Sequence, residues 1–522
     1  MLFIYCRYER ILMMVTVTFT LLMTSFFHGG SSLPVESCPM FGCRPSGTFS
    51  YDLDVTNNVS LAWPKPFRQS ESPDTLGCLG NEEIVVCQGD GRINRGYVSL
   101  NVDNGSLVWS DKVLNHPSLP IMDVYGDIVG TDGRKLVMYE VDGTLVKPIV
   151  NEKNLSPVYS ITFSDNNIFA IVSKKGLLVT VESNGVPHAF MDFRGSEERM
   201  NGTFIPIAPP VVNGHRIYML TAFRPDNNKS ELSMRRLYAV DIFNVLSGKL
   251  KVAWYYNFEK LSYSKYDIPI KHNVDGVSPP QILLNTDTET LYVNLPPLQY
   301  TENAIHLLYG FKDYLNSTVP TTLFKTPQSV SQLSMYESGI GRLETLKTEN
   351  HGQGVPLQGI HKPRGAINEN SDTINGSVLW AVSTDKSLIL KLSPTDGSVL
   401  SQISLKNIFD MPAMVTSRIM VAKSKSPPGE FLIFGIDVSP SNGSVSKTFK
   451  NLCNNLLTNP HLRYYVVSIQ LTNLVVNWVI DTPNQYPVVG QIAGIKRGKD
   501  KIDLLIVTTN AQQGSEVFAL KT

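Results

Sequence analysis

An all-β fold is what this sequence predicts, on three observations. Helical periodicity is nearly absent along its 522 residues. Short β-rich runs are joined by turns of Asn, Asp, Gly or Ser, which is the hairpin signature. Several of those hairpins end on a Trp, and the first Trp-to-Trp step, from 63 to 109, is 46 residues. A four-stranded propeller blade needs about 40–50 residues. Eight such hairpins predict a β-propeller of eight blades, each of four antiparallel strands, although the spacing leaves seven open. A pair of β-sandwich domains is the competing arrangement, but it leaves the repeated turn-then-Trp unit unexplained.

The elements follow in chain order. Residues 1–32 read as a signal peptide. Arg7 and Arg10 precede an apolar run at 11–27, and Gly29, Gly30, Ser31 and Ser32 supply a small-residue exit. The run also reaches the lower length limit of a spanning helix, so an uncleaved type II anchor is the alternative. Residues 33–48 are a Cys-containing N-terminal segment, and 49–522 the propeller. The clearest hairpin is 96–102, turn 103–106, then 107–109. Units at 50–63, 237–254 and 464–478 match it, with weaker copies near 135, 177, 307 and 388. In three of them an Asn stands five residues before the Trp: Asn58, Asn104 and Asn473. A long segment at 326–373 is predicted to be an insertion between two blades. Residues 446–465, with Leu452, Leu456 and Leu457 near helical spacing, are predicted to form a short helix on a blade. Residues 487–522 supply three strands without a fourth, whereas 59–63 is an outer strand with no blade before it. Pairing the two ends completes the eighth blade and removes a sheet edge.

The 46 basic side chains balance 46 acidic ones, so a nucleic-acid partner, which needs a basic surplus, is not expected. Cys6 belongs to the leader, leaving five cysteines. Cys78 with Cys87, and Cys38 with Cys43, could each close a small loop. Cys38 or Cys43 with Cys453 stays open, because spacing does not set connectivity. The odd thiol, assigned to Cys453, is then free or joins two copies in a dimer. Asn-x-Ser/Thr acceptors for glycans begin at Asn58, Asn104, Asn154, Asn201, Asn228, Asn316, Asn375 and Asn442.

The run Leu237 to Asp241, a Gly-containing turn and Trp254 resembles the pyrroloquinoline-quinone (PQQ) repeat, as do residues 96–109. That repeat builds the eight-bladed propeller of the quinoprotein alcohol dehydrogenases and of their non-enzymatic relatives. The likeness extends in spacing over residues 49–522. It implies that Trp63, Trp109, Trp254 and Trp478 dock one blade on the next, which suits a large ring between twisted sheets. The chain departs from the dehydrogenases in having no adjacent-cysteine pair and no C-x-x-C-H haem motif. Their calcium-binding set has no counterpart motif here. The resemblance therefore implies the fold without the redox chemistry.

No catalytic motif is present: no H-E-x-x-H, no G-x-S-x-G, no P-loop. Glu82–Glu83 and Glu197–Glu198 are adjacent, and adjacent strand residues face opposite ways. His351 and His361 fit no standard zinc spacing, and the Asp-Gly pairs read as hairpin turns, so no metal ligand is assigned. Cofactors are not expected, with PQQ and calcium as the one combination to test. The function expected is a secreted or lumenal binding module meeting a protein or glycan through its loop face. The alternatives are a quinone- or metal-dependent oxidoreductase with its site in the channel, and a membrane-anchored assembly scaffold.

Overall fold

The computed structural model describes residues 38–69, 76–90, 95–111, 114, 117–123, 126–132, 135–151, 158–164, 168–182, 187–194, 201–227, 233–243, 248–259, 280–297, 306–315, 317–336, 378–425, 428–438, 464–498, 501–511 and 514–522. Their strands form eight sheets, one per blade, antiparallel but for one added strand in blade 7. Blade 1 runs from Cys78–Gly80 to Leu107–Asp111, blade 2 from Ile121–Met122 to Leu145–Asn151, and blade 3 from Val158–Ser164 to Pro187–Asp192. Blade 4 begins with an interrupted inner strand, Gly202–Pro206 and Val211–Asn213, and ends at Lys249–Asn257. Blade 5 spans Gln281–Asn285 to Thr321–Pro327 and blade 6 Val330–Met335 to Val399–Ser404. Blade 7 also has an interrupted inner strand, Ala413–Val415 and Met420–Lys425, and ends at Val475–Asp481. Blade 8 holds Val488–Ile495, Leu504–Ala511 and Gly514–Lys521.

Burial explains the residue choice. In blade 5, every residue of Gln281–Asn285 and Thr290–Leu295 is buried, whereas Thr321–Pro327 is mostly exposed. Strands sandwiched between neighbouring blades read as continuous apolar runs, and the outermost strand meets water on one side. Ser60–Leu61 supplies the fourth strand of blade 8 by pairing with Leu520 and Lys521, and Phe67–Gln69 extends the same edge. The ring is thus closed by chain ends brought together, leaving no open edge at the seam.

Two boundaries differ from the sequence reading. The connection between blades 5 and 6 is only Gln328 and Ser329; Val330–Met335 is already the inner strand of blade 6. The long segment therefore lies within a blade, after its first strand, and most of it, including His351 and His361, falls outside the described residues. The strand signal was weak because Ser331, Gln332 and Ser334 are polar, yet all three are buried and bonded to backbone. The other difference is the unit at 50–63, which is not a hairpin. Ser50–Asp52 pairs parallel with Met420–Lys425 on the channel side of blade 7, while Ser60–Leu61 leaves for blade 8. The short helix expected at 446–465 and Cys453 also lie outside the described residues, except that Tyr464 and Tyr465 open a strand of blade 7. Among the described residues no helix is long and apolar enough to cross a membrane.

Candidate functional site at the channel mouth

The channel between the inner strands is filled by residues 38–50. The Cys38–Cys43 disulfide closes a tight loop. Gly42 (φ 82°) and Gly47 (φ 68°) bend the chain back on itself, and a Cβ on Gly42 would stand 2.7 Å from the Gly47 backbone. The segment then presents its carbonyls as acceptors around the ring. Backbone N–H groups of Gly80, Met122, Val212, Leu284, Met335 and Val421 bond the carbonyl oxygens of Cys38, Pro39, Pro45, Ser46, Thr48 and Phe49 at 2.8–3.0 Å. These donors belong to blades 1, 2, 4, 5, 6 and 7. Blade 8 joins through Gln491, whose Oε1 accepts from Gly42 N–H at 2.8 Å. Buried backbone groups need partners, and this segment supplies them to inner strands that would otherwise face an empty bore. The expectation that residues 33–48 precede the propeller as a separate segment is thus corrected from residue 38 onward.

Glutamines on the inner strands tie neighbouring blades. Gln281 Nε2 donates to Leu333 O at 2.9 Å and its Oε1 accepts from Leu333 N–H at 2.8 Å, linking blades 5 and 6. Gln332 repeats the bond between blades 6 and 7, donating to Ser417 O and accepting from Ile419 N–H. Gln491 links blade 8 to Cys78 O of blade 1 at 2.9 Å. A primary amide presents a donor and an acceptor together, as a peptide group does. Nothing in the hydrophobic pattern singles these residues out, which is why sequence reasoning missed them.

Among the described residues, no backbone bond runs from the filling segment to blade 3. There a cavity of about 280 Å³ opens. Its walls come from the starts of inner strands and from Lys174 in the turn after the second strand of blade 3, so it opens on the face where the inter-blade connections arrive. Both interrupted inner strands reach it, through Ile207, Pro209 and Pro210 of blade 4 and Arg418 of blade 7. Met40, Phe41, Arg44 and Phe49 of the filling segment form its floor, with Phe41 edge-on to Phe49 at 5.1 Å. Arg418 donates to Gln281 Oε1 at 3.2 Å, and its guanidinium lies 6.0 and 5.7 Å from the Phe41 and Phe49 ring centres. Burial pulls its pKa down to about 10.

The tryptophans occupy blade interfaces. Trp63 of blade 8 donates Nε1–H to Val102 O at 2.9 Å in blade 1, and Trp109 of blade 1 donates to Val141 O at 3.0 Å in blade 2. Each ring lies against the glycine of the neighbour's turn: Gly105 for Trp63 and Gly143 for Trp109, where a Cβ would come within 2.5 Å and 2.4 Å of ring atoms. Phe324 of blade 5 lies against Gly397 of blade 6 in the same way. Its ring type sets it apart from the turn-then-Trp pattern. Trp254 of blade 4 instead donates to Asp313 Oδ1 of blade 5 at 3.0 Å. Asp313 also receives Tyr218 O–H at 2.7 Å and Arg216 at 2.9 Å, and Arg216 is bonded in turn to Asp241. Burial, then the Asp313 charge, push the Tyr218 hydroxyl well above its ordinary range, which marks a structural ion-pair node rather than a titrating group. Trp478 is buried in the cluster that holds Val55. The Asn before the Trp caps its turn: Asn104 Oδ1 accepts Ser106 N–H at 2.8 Å, as Asp142 and Asp396 do in their blades.

Cys78 and Cys87 form the second disulfide, across the first two strands of blade 1. Two disulfides are the mark of a chain that matures outside the reducing cytosol. Asn58, Asn104 and Asn201 are exposed, while Asn154, Asn228, Asn316, Asn375 and Asn442 lie outside the described residues. Among the described residues no three His, Cys, Asp or Glu side chains are grouped to hold a metal ion.

No protein-family model matches the chain, and no curated protein does. Among solved structures it is similar to the quinohemoprotein alcohol dehydrogenase from Comamonas testosteroni, at 8% identity and a TM-score of 0.44 over 95% of this chain and 82% of that one. It is also similar to BamB from Moraxella catarrhalis, at 11% identity and a TM-score of 0.44 over 89% of this chain and 98% of that one. The C-terminal WD40 domain of Sif2 gives 8% identity and a TM-score of 0.46 over 89% and 99%. These are likenesses of fold.

Proposed function

We propose that this chain is a secretory-pathway β-propeller that acts as a binding module, meeting a protein or a glycan on the face where its inter-blade connections lie. The observation that carries this reading is the filled channel. Residues 38–50 occupy the bore and are bonded to seven of the eight blades, so a quinone site there would require them to leave. What stays accessible is a rigid ring presenting turns, and loops on a rigid scaffold are the usual place for recognition. The signal peptide at 1–32 and glycans on the exposed Asn58, Asn104 and Asn201 belong to the same reading.

The test begins with the protein secreted from eukaryotic cells. Intact mass should place the mature N-terminus at residue 33 and show added glycan; a retained Met1 supports the anchored scaffold instead. Titration with PQQ and calcium should give no stoichiometric binding and no alcohol-dependent dye reduction. One quinone per chain with turnover would overturn the reading. Lysine cross-linking on cell surfaces should then join partners through Lys174, Lys175 and Lys386, in turns of the proposed face, rather than through Lys249 or Lys521 on the opposite side.

A further inference from the structure

The cavity beside blade 3 has a chemistry that the binding-module reading does not require. Three cationic side chains line it, Arg44, Lys174 and Arg418, and among the described residues no carboxylate does, in a chain whose charges otherwise balance. Arg418 makes no ion pair among the described residues; its side-chain partners are the Gln281 amide oxygen and two aromatic rings. A partly buried guanidinium without an anion bears a desolvation cost that an anion would offset. The rest of the wall is apolar: Phe41, Phe49, Ile161, Pro209, Pro210 and Val211.

We propose that this cavity binds a small organic carboxylate with a compact apolar body, the carboxylate held by Arg418 and Lys174, the body against the phenylalanines and prolines. The space corresponds to about nine water volumes, which suits an aromatic or branched monocarboxylate and is too small for a peptide. An apolar wall favours an amphipathic monoanion over inorganic phosphate, which would lose its hydration to it.

The full secreted protein, titrated calorimetrically, provides the test. Benzoate is the probe, benzyl alcohol its neutral counterpart, and inorganic phosphate the hydrated anion. Benzoate should bind saturably, with benzyl alcohol and phosphate each about tenfold weaker or more. Arg418→Gln should weaken benzoate about tenfold or more while leaving benzyl alcohol unchanged. Should that variant fail to fold, Lys174→Gln, on an exposed turn, should weaken benzoate severalfold at unchanged Tm. Equal binding of acid and alcohol, equal binding of phosphate, no loss in the folded variants, or no saturable benzoate signal up to roughly 10 mM would each overturn the proposal. None of these outcomes depends on where the mature chain begins or on a partner at the loop face.

Discussion

The rim and the bore of this propeller are held together differently. At the rim, one device recurs: an aromatic ring on the outer strand of one blade lies on the turn glycine of the next, as with Trp63 and Gly105, Trp109 and Gly143, and Phe324 and Gly397. In the bore, glutamine ties recur at three junctions, but the chain that fills it does not repeat. One segment, 38–50, meets seven of the eight inner strands, each with a different residue, and glutamines fill further backbone pairings at three blade junctions. The difference teaches where individuality can accumulate. The rim contact recurs at three junctions and gives way to the Asp313 node at the junction of blades 4 and 5. A single strand of chain threaded among unlike blades has no need to repeat a contact, and blade 3, the one blade it does not bond among the described residues, carries the cavity.

Removing the filling segment is the most severe break in the comparison. A chain lacking residues 36–49 leaves six inner-strand N–H groups without their partners. At roughly 1 kcal/mol or more for each buried orphan, the loss exceeds about 5 kcal/mol, and secretion of folded protein should collapse. Normal yield with a cooperative melt would show that the bore does not need its occupant. At the rim, Trp63→Ala should cost about 3–5 kcal/mol, read as a shift in denaturant midpoint at unchanged slope. In the bore, Gln332→Leu keeps the side-chain bulk but orphans Ile419 N–H and Ser417 O. It should cost about 2–3 kcal/mol. A smaller loss than for Arg68→Ala, a surface change expected to fall within roughly ±0.5 kcal/mol, would deny the glutamines their role as blade ties.

The smallest expected effect concerns pH. Burial, then the Arg235 charge, lower the pKa of His306 below its ordinary 6.5. The folded chain therefore binds fewer protons than the unfolded one in that window. The contribution to stability is fully present above pH 6.5 and is lost as pH falls through the folded value. Tm measured from pH 7.5 down to 5.5 should fall, and His306→Gln should flatten that slope. An unchanged slope in the variant would assign the dependence to other groups.

Much of the rim was legible in the sequence because its signals are local. A turn residue such as Asn104, two residues from the amide it caps, and Trp109, five residues on, lie within one hairpin. The pairing of 59–63 with the C-terminal strands was legible for a different reason: a strand surplus at one end matched a deficit at the other. The bore was not legible. Pro39, Pro45 and Thr48 carry no periodic signal, and their partners lie up to several hundred residues away. The strand Val330–Met335 was passed over for the same reason, since its buried Gln332 and Ser334 look like loop residues until their backbone partners are seen.

The amino-acid order alone determined the all-β class, the repeating hairpin and the closure by chain ends, because each rests on neighbours in sequence or on a count of strands, whereas the choice of Cys38–Cys43 and Cys78–Cys87 among the open pairings came from the structure. Only the tertiary structure decided that residues 38–50 fill the channel, and that Arg418, Thr162 and Lys174 line one cavity. The physical reason is that a closed ring brings all of its inner strands to one axis. Groups far apart in the chain then share a single volume, and which of them need partners there depends on what already occupies it.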